Sequence, residues 1–245
     1  MTDQNSFILI GADRPSRYVI LCDHASNRVP PEIANGDLGL SQKDMERHIA
    51  YDVGAAGVSK RLGEVLDAPV LLSQFSRLVI DPNRSEDDPT LIMQLYDGSV
   101  IPANRGLDNE ASKFRIETYH RPYRKAAEAL AASRDDPILI AVHSFTPRLK
   151  GRPPRPWEIG VLFSHDRRYS DPLIKTLKTR TKYTVGENQP YNGALDGDTM
   201  DEIALRQNRL HTLLEIRNDL ITTKEDQIAW GNEIASHLEV TTAGL

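Results

Sequence analysis

Residues with catalytic chemistry stand where short apolar runs of this chain end. Asp23-His24-Ala25-Ser26-Asn27 follows the run 17–22, and Asp81-Pro82-Asn83-Arg84 follows 77–80. His143-Ser144 closes 137–143, and Glu215 interrupts 210–216 ahead of Arg217-Asn218-Asp219. If these runs are strands of one sheet, their ends bring together two histidines, a glutamate and two arginine-bearing loops. Ligands of open α/β sheets bind beyond such carboxyl ends. Each residue alone has an ordinary reading. A strand-end histidine usually satisfies a hydrogen bond, Asp-Pro starts a turn, and a strand glutamate can pair with Arg217. Taken together they suit a catalytic zinc site, which needs three protein ligands and an open position. A separate carboxylate beside that position can serve as the base toward water.

Other chemistries lack their motifs. No G-x-G-x-x-G follows the first apolar run, and the chain has no Walker A sequence, no G-x-S-x-G and no H-E-x-x-H. Ser144 has no evident triad partners. The single cysteine, Cys22, lies in an apolar run and reads as a small buried hydrophobe; one cysteine permits neither an internal disulfide nor a cysteine-based zinc knuckle.

The elements that must position these residues follow from periodicity and punctuation. Strands are expected at 17–22, 69–73, 77–80, 137–143, 157–163 and 210–216, with a small one at 183–185. Ser41 is placed to cap one helix carrying Met45, Ile49, Val53, Ala56, Leu62 and Leu66. A second helix spans about 108–133, where Pro122 predicts a kink or break. A third lies near 171–181, and Thr222 with Glu225 has the pattern of a capping box opening a C-terminal helix to about Leu238. Residues 81–89, 145–156 and 186–198 are loops by composition, the latter two placed to shape or cover a pocket. The alternation predicts an α/β fold, a mostly parallel or mixed central sheet flanked by helices, in one domain over residues 1–245.

With 245 residues, 39% of them hydrophobic, the chain can bury a sizeable core. Thirty Lys+Arg against 35 Asp+Glu give a net charge of −5, which argues against nucleic acid or an anionic membrane as partner. The arginines of 148–155 stand in a proline-rich segment and read as a solvated loop. No apolar run is long enough to span a bilayer, and the first residues do not have the pattern of a secretory signal, so a cytoplasmic location is expected.

The ordered pieces DHASNRVP (23–30), Tyr51-Asp52, FSRLVIDPNR (75–84), YHRPY (119–123), VHSFTP (142–147) and LLEIRND (213–219) resemble the N-formylglutamate amidohydrolases over about residues 18–219. They are also remotely similar to the zinc carboxypeptidases and related deacylases. The resemblance implies a zinc-carboxypeptidase-like fold and one zinc ion (Zn2+) per chain, with His24 and His143 as ligands. It implies Asn83 and Arg84 as a clamp for a substrate carboxylate, and Glu215 as general base. Carboxypeptidases take a glutamate ligand three residues after the first histidine, where this chain has Asn27. Asp52 matches an acidic position of the amidohydrolases and is the candidate third ligand, with Asn27 or water as alternatives. Asp52 also stands one helical turn from His48, so an ordinary Asp–His pair is the competing reading. Arg77 is expected to stabilise the oxyanion or a second carboxylate, and His120 and Tyr123, a turn apart, to face the cleft. The implied activity is hydrolysis of the amide of a small N-acyl amino acid, N-formyl-L-glutamate to glutamate and formate. The alternatives are a deacylase for another acyl group or amino acid, and a non-catalytic small-molecule-binding homologue.

Overall fold

The protein is described from a computed structural model, covering residues 2–3, 6–149 and 151–245. In chain order the strands are β1 (Thr2–Asp3), β2 (Phe7–Ile10), β3 (Tyr18–Cys22), β4 (Val70–Ser73), β5 (Leu95–Tyr96), β6 (Ser99–Val100), β7 (Ile138–Phe145), β8 (Ile159–Leu162), β9 (Val185–Glu187) and β10 (Leu210–Arg217). The helices are α1 (Gln42–Met45), α2 (Ala55–Val65), α3 (Asn109–Arg115), α4 (Arg121–Ala132), α5 (Ser170–Arg180) and α6 (Lys224–Ala243). Eight strands form one mixed sheet in the order β1-β2-β4-β3-β7-β10-β8-β9, and β5 pairs with β6 in a separate ribbon.

The central strands β4, β3, β7 and β10 are parallel, so their carboxyl ends share one edge of the sheet. Alternation along β7 sorts its side chains to two faces. Ile138, Ile140 and Val142 pack with Val58 and Leu62 of α2, Leu173 of α5 and Ile234 of α6. Leu139 and Ala141 pack with Tyr123, Ala127 and Leu130 on the α4 side. A third cluster around Phe75, Leu78, Ile80, Ile101 and Tyr119 fills the space under the loops. No described helix is long and apolar enough to cross a membrane.

Three expectations are corrected, and a fourth, the break at Pro122, is met. The run 77–80 forms buried turns rather than a strand. Its carbonyls are satisfied by side chains instead of a ladder, Asn104 Nδ2 donating to Leu78 at 2.7 Å and Arg115 Nη1 to Val79 at 2.8 Å. An apolar tetrapeptide has the same composition in either state, and burial rather than periodicity decides between them. Ser41 caps a helix of only four residues. The chain is then irregular until Gly54, whose φ of +82° turns it into α2. The interruption expected at Pro122 is present: the helix from 108 is divided by a π-helical turn at Ile116–His120, which ends two residues before Pro122. Proline lacks the N–H that would keep the ladder in register there. The C-terminal capping box is Thr223 with Asp226, one residue later than expected, and its helix runs to Ala243. No sequence pattern marks the antiparallel edge made by β1 and β2.

Gly54 lies two residues after Asp52, and a Cβ there would come within 2.3 Å of the Ile221 carbonyl oxygen. Gly54→Ala therefore combines a disfavoured φ with a backbone clash. It is expected to lower stability by about 2 kcal/mol or more and to weaken metal retention by displacing Asp52. Thermal denaturation and metal analysis check this; an unchanged melting temperature would remove Gly54 as a constraint on the Asp52 segment.

Candidate metal centre

The edge shared by the four parallel strands carries the polar cluster. His24 follows β3 by two residues, His143 lies near the end of β7, and Glu215 sits beside His143 in the register of β7 and β10. Asp52 reaches the same place from the irregular segment before α2. Its N–H donates to the His24 carbonyl at 2.9 Å, and its Oδ2 accepts from the Ser144 N–H at 3.3 Å.

His24, Asp52 and His143 are all buried and offer ligand atoms within 4.8 Å of one another. Asp52 Oδ2 is 2.8 Å from His143 Nδ1 and 3.4 Å from His24 Nδ1. The far nitrogen of each ring is held by a second carboxylate: His24 Nε2 donates to Asp81 Oδ1 at 2.7 Å, and His143 Nε2 donates to Asp23 Oδ2 at 3.2 Å. Such outer carboxylates fix the tautomer of a metal-binding histidine, so that the inner nitrogen presents its lone pair. Two inner nitrogens facing one carboxylate oxygen need a positive charge among them. His143 carries that preference already: burial would lower its pKa, but Asp23 and Asp52 override it and hold it well above the ordinary value. Asp52 and Asp81 would be raised by burial, but the surrounding histidines and, for Asp81, Arg77 hold both well below the usual carboxylate range. Asp52 Oδ1, buried and without a hydrogen bond, lies 3.2 Å from His48 Nδ1. The donor set and the unpartnered oxygen fit a divalent cation, and this group could hold a metal ion.

A cavity of about 290 Å³ opens over the cluster, lined by His24, His48, Asp52, His143 and Glu215 and also by Arg77, Asn83, Arg84 and Tyr96. Residues Tyr191–Leu195 and Asp198 complete it. The loop 186–198 thus supplies part of the wall. Glu215 is buried with its Oε2 unpartnered, and desolvation pushes its carboxyl up to about 8, with His143 opposing the rise. Gly160 faces Glu215 across the β8–β10 pair, and a Cβ there would meet the Gln189 carbonyl at 2.0 Å; glycine lets this loop lie close above the glutamate.

Arg77 donates twice to Asp81 Oδ2, through Nε at 3.1 Å and Nη2 at 2.7 Å, and its Nη1 is 3.8 Å from Asp52 Oδ1. Asn83 Oδ1 accepts from the Thr199 N–H at 3.0 Å, which leaves its amide donors for a ligand. Arg84 lines the cavity, with Nε 3.2 Å from Thr90 Oγ1 and 3.9 Å from Asp88 Oδ2. His120 and Tyr123 do not line this cavity. Tyr123 donates its hydroxyl to Asp23 Oδ1 at 2.7 Å, and His120 Nε2 donates to the Arg84 carbonyl at 2.8 Å. Asn27 is turned to the Met45 carbonyl, 3.0 Å away. Cys22 is fully buried in the first core cluster, and desolvation raises its thiol pKa.

Several residues of the site have roles that the sequence does not assign. Asp23 and Asp81 belong to the expected motifs, but their roles as histidine partners need the third dimension. His48 is half-buried and lines the cavity, and desolvation pushes its pKa down to about 4, so it faces the cavity as neutral imidazole. Tyr191 and Asp198 stand in a loop with no pattern to mark them. Arg155, in the segment expected to be solvated, folds back over the rings of Phe145 and Tyr191.

No curated protein matches the chain's sequence. Among solved structures, the Atu2144 gene product of Agrobacterium tumefaciens is similar with a TM-score of 0.92 and 30% identity over 98% of this chain and 95% of that one. An N-formylglutamate amidohydrolase from Ralstonia eutropha JMP134 is similar with a TM-score of 0.76 and 20% identity over 99% and 100%. A bacteriophage poly-gamma-glutamate hydrolase shares the fold at a TM-score of 0.50 and 10% identity, over 100% and 91%. The family described as FGase, N-formylglutamate amidohydrolase, matches residues 16–222, and the chain belongs to that family.

Proposed function

We propose that this protein is a zinc-dependent amidohydrolase that cleaves the C–N bond of a small N-acyl amino acid, N-formyl-L-glutamate first among them. The observation that carries this reading is the convergence of His24 Nδ1, His143 Nδ1 and Asp52 Oδ2, each histidine held from behind by its own carboxylate. Zn2+ held by these three residues would polarise the amide carbonyl and lower the pKa of water.

The remaining roles fall to the chain's own side chains. Glu215 accepts a proton from the attacking water and delivers it to the amide nitrogen as the C–N bond breaks, releasing formate and the free amine. Its burial favours the proton-bound form, and the neighbouring positive charge opposes it; the two together set a base near neutrality. Arg77, fixed by Asp81, keeps Nη1 toward the cavity, where its charge stabilises the oxyanion. Asn83 and Arg84 bind the substrate carboxylate, for which the planar guanidinium supplies a two-pronged match. The cavity lies at the lower end of the range of small-molecule sites, roughly 300–1,000 Å³, as an amino-acid-sized substrate requires.

A second reading, a deacylase for a longer acyl group, is favoured by one feature. An adjoining cavity of about 450 Å³ shares His48, Tyr96 and Tyr191 with the first. A panel of N-acyl glutamates and N-formyl amino acids, assayed for released acid and amine, separates the two. Fastest turnover of N-formyl-L-glutamate supports the first, and a preference for longer acyl chains supports the second. No turnover of any member by metal-loaded protein would favour the non-catalytic alternative.

Arg84→Lys retains the charge but loses the fork. It is expected to lower kcat/KM for an N-acyl amino acid by about one to two orders of magnitude, and much less when the substrate carboxylate is blocked as an amide. Equal losses on both substrates would mean that Arg84 only ties its loop to Thr90 and Asp88.

A further inference from the structure

The guanidinium of Arg124 on α4 is buried, yet among the described residues it meets a single carboxylate, Glu202 at 2.8 Å, which is itself 43% exposed. Its other hydrogen bonds go to main-chain carbonyls. Nε donates to Pro82 at 2.7 Å, Nη2 to Arg84 and Gly197 at 3.0 Å each, and Nη1 to Asp198 at 3.1 Å. An arginine has five N–H donors, so this one is fully engaged. Two of its acceptors lie in the segment 82–84 and two in 197–198, far apart in sequence.

Neighbouring bonds join the same two segments. Thr199 donates its N–H to Asn83 Oδ1 at 3.0 Å and its hydroxyl to the Pro82 carbonyl at 3.2 Å. His120, four residues before Arg124, adds a second donor to the Arg84 carbonyl. Asn83, Arg84 and Asp198 all line the catalytic cavity, whereas Arg124 does not. Arg124 thus grips the backbone of the cavity wall from behind. A planar, rigid fork can fix four carbonyls at set angles, and a lysine ammonium on a flexible stem cannot.

We propose that Arg124 is a positioning residue for recognition of the substrate carboxylate: it locks the backbone of Pro82–Arg84 against Gly197–Asp198, so that Arg84 presents its guanidinium in one arrangement. The proposal rests on the reading that Asn83 and Arg84 bind that carboxylate. It assigns Arg124 an effect on substrate binding that is transmitted through Arg84, with no part in metal binding or in the proton transfers of Glu215.

The test is steady-state kinetics of the zinc-loaded protein on whichever N-acyl amino acid of the panel is hydrolysed fastest. The variants are Arg84→Ala, Arg124→Gln and the two combined, each with metal content measured. Arg124→Gln is expected to raise KM about tenfold, with kcat within about threefold and metal content unchanged. The double variant is expected to raise KM no further than Arg84→Ala alone, because one residue acts through the other. A purely structural role predicts instead independent effects that multiply, or a fall in kcat and metal content together with stability; either result overturns the proposal, as does an unchanged KM. If Arg84→Ala leaves KM unaltered, the carboxylate reading itself fails, which is a separate outcome. Arg124→Lys, expected to give an intermediate KM, carries the same comparison with Arg84→Ala should Arg124→Gln fail to fold.

Discussion

His143→Ala is expected to yield a folded protein that retains no divalent cation and has lost amide hydrolysis by roughly three orders of magnitude or more. Three observations set the size of this effect. The imidazole stands between Asp52 and Asp23, at 2.8 and 3.2 Å, so its loss removes one of the three proposed ligands and leaves two carboxylates facing an empty space. A zinc site with two protein ligands does not retain its ion as a three-ligand site does. The strand that carries His143 is held on both sides by β3 and β10, and its apolar residues belong to two core clusters, so the fold does not depend on this side chain. His143→Gln keeps a donor for Asp23 and serves as the companion variant if the alanine protein is too unstable. Full metal content with full turnover in either variant would place the site elsewhere.

Glu215→Gln is expected to leave metal content and substrate binding intact and to lower kcat by roughly two orders of magnitude or more. The substitution preserves shape and removes the ability to take a proton. It also replaces a buried carboxyl, whose Oε2 has no hydrogen-bond partner and whose pKa desolvation has pushed up to about 8, by an amide of the same size that carries no charge at any pH. This combination separates a base from the alternatives. Loss of metal would make Glu215 a ligand, and near-normal kcat would make it structural.

The sequence exposes the parts of this site that stand at strand ends. His24, His143 and Glu215 follow or interrupt apolar runs, and burial of those runs as neighbouring parallel strands brings the three together. Asp52 was legible only through the family resemblance, because its local periodicity is misleading. Met45, Ile49 and Val53 continue a helical spacing through a segment that is not helical. Its irregular backbone is held by long-range bonds, such as Asp52 N–H to the His24 carbonyl and the Ser144 hydroxyl to the Val53 carbonyl. Pro122 marked the place where the long helix changes register, but not that a π-helical turn would absorb the change. Phe7–Ile10 is a short, partly buried strand next to the sheet edge, whose pairing with β4 no local pattern announces. Arg124 was hidden for another reason. A charged residue in an amphipathic helix reads as a solvated face, and only tertiary packing reveals that its guanidinium is enclosed by carbonyls.

The central claim, a metal-dependent amidohydrolase with His24, Asp52 and His143 as ligands, is tested most directly by elemental analysis of protein purified without chelator or tag-derived metal, run beside its Asp52→Asn variant. The account predicts about one zinc per chain in the parent protein, a strongly reduced content in the variant, and formate release from N-formyl-L-glutamate that rises and falls with zinc content. Hydrolysis that proceeds at full rate in metal-free protein, or zinc bound equally well by the Asp52→Asn variant, would contradict it.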